Sequence, residues 1–138
     1  MSHRNIIIIS EDCRRLEHLL ASEFAEAIGP KSYLVDLRSE LQRAVIVDSD
    51  EVPYDVITMN STVRLRDLDT GEVETYTLVY PGQADIAANK LSILAPIGTA
   101  ILGYRVGDVV RWRVPSGERR LQIEEVLYQP EREGALHL

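Results

Sequence analysis

The hydrophobic residues of this chain change period part-way along it, and that change decides the architecture. Leu16, Leu19, Leu20 and Phe24 recur at intervals of 3, 1 and 4, the stripe of an amphipathic helix. Ser10 stands where an N-cap belongs, with Glu11 and Asp12 in the favoured first turn. Gly29-Pro30 breaks the stripe. A second stripe follows through Leu34, Leu37, Leu41, Ala44 and Val45, with coiled-coil spacing. Two such helices joined by a Gly-Pro turn predict a short antiparallel coiled-coil hairpin, each arm roughly 15–18 residues and about 22–27 Å long. A β-type run of isoleucines, Ile6 to Ile9, precedes it, and the acidic run Asp48-Ser49-Asp50-Glu51 reads as a linker.

From Val56 the period shifts towards 2. Val63, Leu65 and Asp67 alternate with Arg64 and Arg66, Asp69-Thr70-Gly71 reads as a turn, and Val73, Thr75, Thr77 and Val79 supply a return strand. Val109 to Val114 and Leu121 to Tyr128 form a second strand pair around Ser116-Gly117. Between the pairs, Pro96 to Gly103 opens on a helix-start proline and closes on a helix-stop glycine. The expected class is α+β: a hairpin domain over 1–52, then an antiparallel sheet with one short helix over 53–138. Glu131 to Leu138 reads as a frayed tail.

Composition excludes several functions. Fifteen basic against 22 acidic residues give a net charge of -7, which opposes binding to nucleic acid through phosphates and to anionic membranes. We expect no sequence-specific DNA contact and no membrane association. The apolar run Ile6–Ile9 is far short of the ~20 residues of a spanning helix, and no secretory pattern opens the chain. The single cysteine, Cys13, cannot close an internal disulfide, which points to a cytoplasmic setting.

The search for catalytic chemistry is negative. Gly98 and Gly103 have phosphate-loop spacing, but Tyr104-Arg105 stands where Lys and Ser/Thr are needed. His3, His18 and His137 do not share a ligand spacing, so no metal or cofactor is expected. Cys13 lacks an evident base. Asp48, Asp50 and Glu51 lack the calcium-loop pattern. Arg64/Arg66 and Arg111/Arg113 each put two guanidiniums on one strand face, suited to a partner's carboxylates or simply to solvent.

Several stretches carry a resemblance. They are Val56-Ile57-Thr58-Met59-Asn60-Ser61, Leu78-Val79-Tyr80-Pro81, Leu91 through Gly103, Val106-Gly107-Asp108 and Val114-Pro115-Ser116-Gly117. In this order they resemble the C-terminal domain of the Gre transcript-cleavage factors. With the short hairpin and the closing Tyr128-Gln129-Pro130-Glu131, the whole chain resembles the Rnk family most. The resemblance implies an FKBP-like C-terminal fold and an N-terminal coiled coil. It also implies docking on RNA polymerase at the rim of the secondary channel through Leu94, Ala95, Pro96 and Ile97. Pro96 matches the family's docking proline, whereas Leu94 stands where Gre factors commonly carry Asp.

Gre factors steady a catalytic magnesium with carboxylates at the tip of a long hairpin. Here the hairpin is shorter, and Glu23 and Glu26, at i and i+3, are the acids nearest the turn. The expectation is therefore a monomeric, non-catalytic regulator that competes with Gre factors for polymerase. The alternative is a cleavage factor using Glu23 and Glu26. A prolyl isomerase, which the FKBP-like fold suggests, is disfavoured by the lack of an aromatic cluster. An oligomerisation module built on the hairpin seams is a further rival.

Overall fold

A computed structural model describes residues 5–26, 31–114 and 116–134 of the chain. The isoleucine run forms strand β1 (Ile7–Ile9), which passes directly into helix α1 (Ser10–Glu26). Helix α2 (Ser32–Gln42) follows. The Gly29-Pro30 break lies outside the described residues. Leu16 and Leu20 of α1 and Leu34, Leu37 and Leu41 of α2 are buried, and the two helices pack together.

The second helix is shorter than its stripe suggests. It ends at Gln42, and Val45–Val47 form strand β2, parallel to β1 with Ile7 opposite Val45. Three consecutive β-branched side chains favour an extended backbone over another helical turn. The acidic run after β2 is a 3-10 turn over Ser49–Glu51, in which Glu51 Oε1 accepts the Asp48 backbone N–H at 3.1 Å.

The second half is built on a five-stranded sheet. Strands β3 (Thr62–Asp67) and β4 (Val73–Val79) make the expected hairpin, with Val63 opposite Tyr76. Strand β3 buries every second residue. Asp67 anchors the turn. Its Oδ1 accepts the N–H groups of Asp69 and Thr70, and its Oδ2 accepts the Arg119 guanidinium at 2.9 Å. These bonds hold the carboxyl below its ordinary range.

A short strand, β5 (Lys90–Ser92), leads into helix α3 (Pro96–Ile101); β6 (Val109–Val114) and β7 (Gly117–Tyr128) follow. The strand order is β5-β4-β3-β7-β6. The sheet is antiparallel except for β5, which runs parallel to β4, a departure from the wholly antiparallel expectation. Arg64 reaches across to Glu124 and Glu125 of β7, and Arg66 to Glu124. Among the described residues no helix is long and apolar enough to cross a membrane.

The end of the chain corrects a sequence reading. Residues Pro130–Glu133 form a helical turn, α4, instead of fraying. Gln129 is completely buried, and its Nε2 donates to the carbonyls of Pro53 (2.9 Å) and Val56 (2.7 Å). Glu131 is buried and accepts the Thr58 hydroxyl at 2.7 Å. Thr58 and Ser61 close a buried turn on each other, with Asn60 left-handed at φ 67. This turn accounts for the Thr58-Met59-Asn60-Ser61 spelling. Residues 135–138 lie outside the described residues.

Gln129→Ala is expected to destabilise the protein by about 2 kcal/mol, because the buried Val56 carbonyl and the part-buried Pro53 carbonyl lose their donor. The loss is moderated because Gln129 Oε1 has no partner among the described residues. Urea denaturation checks it.

One continuous core runs through both halves. Leu16, Leu20, Leu34, Leu37 and Leu41 belong to the same buried cluster as Ile57, Leu65, Leu78, Ile93 and Ile123. Gly103 belongs to this seam. It is left-handed (φ +85), and a Cβ there would lie 3.0 Å from Ile6 Cγ1.

Candidate docking surface

The four residues singled out as a docking segment are contiguous in space as in sequence. Ile93 leaves β5 with its N–H on the Val79 carbonyl at 2.9 Å. Leu94 donates its N–H to Ser92 Oγ (3.0 Å), and Ala95 donates to the Ser92 carbonyl (3.0 Å). Pro96 then opens α3 at a position where no backbone donor is needed. Thr99 locks the turn from inside the helix: its N–H donates to the Ala95 carbonyl, and its hydroxyl makes a short bond to the Ile93 carbonyl.

Gly98 lets the helix close down on this turn. A Cβ there would lie 2.1 Å from the Ser92 carbonyl oxygen. The result is a braced, uncharged segment in which Pro96 is exposed while Leu94, Ala95 and Ile97 are half-buried. Ile97 also lines a small groove with Leu65, Tyr76 and Leu121, edged by Asp67 and Arg119. The segment itself, Leu94 to Ile97, offers apolar contact and shape.

Glu23 and Glu26 lie in the last turns of α1, about 70 residues before α3 in sequence. Glu23 is half-buried, and the side chain of Glu26 lies outside the described ones. Asp48, Asp50 and Glu51 bring three exposed carboxylates within 4.8 Å of one another, and Glu51 is already engaged in capping the 3-10 turn.

Sequence reasoning missed the groups that join the helices to this surface. The Tyr33 hydroxyl of α2 donates to the Leu94 carbonyl at 3.3 Å. On the other side, the Tyr80 hydroxyl donates to Asp12 Oδ1 of α1 at 2.9 Å, and the Arg15 guanidinium lies 3.7 Å from the Tyr80 ring centroid. Burial pushes the Asp12 carboxyl up to about 6, and the Tyr80 bond opposes that shift. Burial and the neighbouring Asp12 push the Tyr80 phenol upward. These contacts span 61 and 68 positions, so no local pattern announces them.

With this geometry in place, comparison with known proteins is decisive. The model for "Transcription elongation factor, GreA/GreB, C-term" matches residues 52–128, and that for "Rnk N-terminus" matches residues 4–47. The chain belongs to the GreA/GreB family, in its Rnk branch. It is 42% identical over 135 residues, 97% of each chain, to the regulator of nucleoside diphosphate kinase of Escherichia coli K12. It is 33% identical over 109 residues to the transcription elongation factor GreA of a Clostridium botulinum strain, spanning 76% of this chain and 68% of that protein. A solved GreA/GreB elongation factor from Nitrosomonas europaea matches with a TM-score of 0.76 and 43% identity, covering 91% of this chain and all of that one. The Rnk-type relatives are regulators by name, and the GreA/GreB members are transcription factors.

Proposed function

We propose that this protein is a non-catalytic regulator of transcription that docks on RNA polymerase at the rim of its secondary channel and competes there with Gre-type factors. The observation that carries the reading is the exposed Pro96 at the head of α3, on a segment braced by Ser92, Gly98 and Thr99. Pro96 holds the place of the family's docking proline. Leu94, Ala95 and Ile97 complete an apolar docking face, with Leu94 in place of the acid that Gre factors commonly carry. The sheet domain, residues 53–138, acts as an FKBP-like platform, and residues 1–52 act as a short coiled-coil plug. The protein works as a monomer without metal or cofactor.

Reach supports the non-catalytic half of the reading. Over the described residues helix α1 has 17 residues and α2 has 11, about 26 Å and about 17 Å of arm. A hairpin of that length stops at the channel mouth, short of the metal centre that a cleavage factor must reach. Competition then follows mass action, the partner with the higher ratio of concentration to Kd holding more polymerase. Any effect on nucleoside diphosphate kinase is indirect, through transcription.

The test is binding to core RNA polymerase, with a Gre factor as competitor and Pro96→Arg as the variant. Saturable binding that the Gre factor displaces and the variant loses is expected, with no short 3′ RNA fragments released from stalled complexes. Absence of binding at tens of micromolar would overturn the docking reading. Fragment release lost in Glu23→Gln/Glu26→Gln would replace it with the cleavage-factor reading.

A further inference from the structure

The docking segment is held from the helical half of the molecule as well as from its own sheet. Within residues 92–99 the backbone braces itself: Leu94 N–H to Ser92 Oγ, Ala95 N–H to the Ser92 carbonyl, Thr99 to the carbonyls of Ala95 and Ile93. The Leu94 carbonyl is served from outside this unit. It accepts the Tyr33 hydroxyl of α2. Tyr33, Leu94 and Ile97 are all half-buried against the common core, and α2 packs on α3.

The second grip is on the neighbouring strand. Val79 of β4 accepts the Ile93 N–H, and the next residue, Tyr80, is bound by Asp12 and overlaid by Arg15 of α1. The turn that presents Pro96 is thus linked to one hairpin arm through Leu94 and to the other through Ile93, Val79 and Tyr80.

We propose that Tyr33 is a positioning residue for polymerase docking, its hydroxyl fixing the Leu94–Pro96 backbone to the hairpin so that docking face and hairpin are presented as one rigid piece. The inference rests on the docking reading above and adds a consequence to it. A polymerase that engages Pro96 also receives the hairpin in a set direction, and loosening Tyr33 weakens engagement without removing any side chain from the docking face. A preorganised segment binds with less ordering cost than a loose one.

The experiment uses the full chain with Tyr33→Phe, and Tyr54→Phe at an exposed tyrosine as control. Three quantities are read: the Kd for core polymerase, amide hydrogen exchange over residues 92–99 of the free protein, and Tm. Loss of one long hydrogen bond predicts a Kd roughly three- to fivefold weaker, with faster exchange confined to 92–99 and a nearly unchanged Tm. The control changes none of them. Weaker binding with unchanged exchange would overturn the inference, because the hydroxyl would then be touching polymerase itself. Faster exchange with unchanged binding would overturn it too, because presentation would not matter. A large general drop in Tm would make Tyr33 a stability residue and overturn its positioning role. Failure of the wild type to bind polymerase removes the docking reading and this inference together, whereas wild-type binding with an indifferent Tyr33→Phe removes the inference alone.

Discussion

Replacing Gly98 by alanine is expected to lower the midpoint of thermal unfolding by about 10 °C, corresponding to about 3 kcal/mol for a domain of this size. The added Cβ would sit 2.1 Å from the Ser92 carbonyl oxygen, 3.0 Å from the Ser92 carbonyl carbon and 3.2 Å from Leu78 Cδ1. The Leu78 methyl can rotate away, but Ser92 is backbone. Its carbonyl also accepts the Ala95 N–H, so moving it breaks the turn it closes. Alanine is the better helix former by about 1 kcal/mol, which opposes the clash. Overpacking against backbone outweighs that gain, because α3 must lift off β5 to make room. The same lift displaces Pro96, so on the docking function proposed above polymerase binding should fall together with Tm. A Gly98→Ala protein with unchanged Tm would mean that the helix and strand do not approach as closely as this.

The close approach shows why the local structure around the candidate docking surface was only half legible in the sequence. Pro96 and Gly103 bracket a short helix by composition alone, and α3 formed where that bracket placed it. Gly98 carries no such mark: a glycine needed for a neighbour's carbonyl looks like any other glycine until the neighbour is known. The sheet hairpin was legible because β3 is buried on one face, so its period-2 pattern is strong. β5 escaped because three residues are too few to show a period, and its parallel partner is fixed by the excursion before it. Val45 shows two signals in conflict. Its spacing continues the helical stripe, but Val45-Ile46-Val47 is a β-branched run, and pairing with β1 decided for the strand.

The candidate site itself was legible only through resemblance. Leu94-Ala95-Pro96-Ile97 is uncharged and unremarkable to a search for acids, bases or ligands, and it is the likeness to Gre factors that singles it out. The groups that secure it were not legible at all. Tyr33, Tyr80, Asp12 and Arg15 sit among ordinary helix and strand residues, and their roles come from contacts between halves of the chain. The tail failed for a similar reason. Gln129 and Glu131 are polar and near the end, and polarity near an end reads as fraying, yet both find buried partners around residues 53–58.

The junction around Asp12 predicts an unusual dependence of stability on pH. Folding raises the Asp12 carboxyl from its ordinary 3.8 to about 6. Burial is the main cause, Glu131 of α4 and Glu11 of α1 add repulsion, and the Tyr80 hydroxyl and Arg15 pull the other way. A folded value above the unfolded one means that the native state holds this proton more tightly. The stability it carries is therefore complete below 3.8 and lost as pH rises through 6. The whole excursion is about 3 kcal/mol, of which about 1.4 kcal/mol falls between about pH 5 and about pH 7.5.

Asp67 and Glu124 do not mask this window, because both are held below their ordinary values and lose stability only at the acid side of it. Asp12→Asn retains an acceptor for the Tyr80 hydroxyl and removes the titration. Urea denaturation of both proteins across the window should therefore show the wild type losing stability relative to the variant as pH rises, with the gap widening around pH 6. Parallel curves would mean that Asp12 is as well solvated folded as unfolded, and that the α1 to β4 junction is open rather than closed on Tyr80.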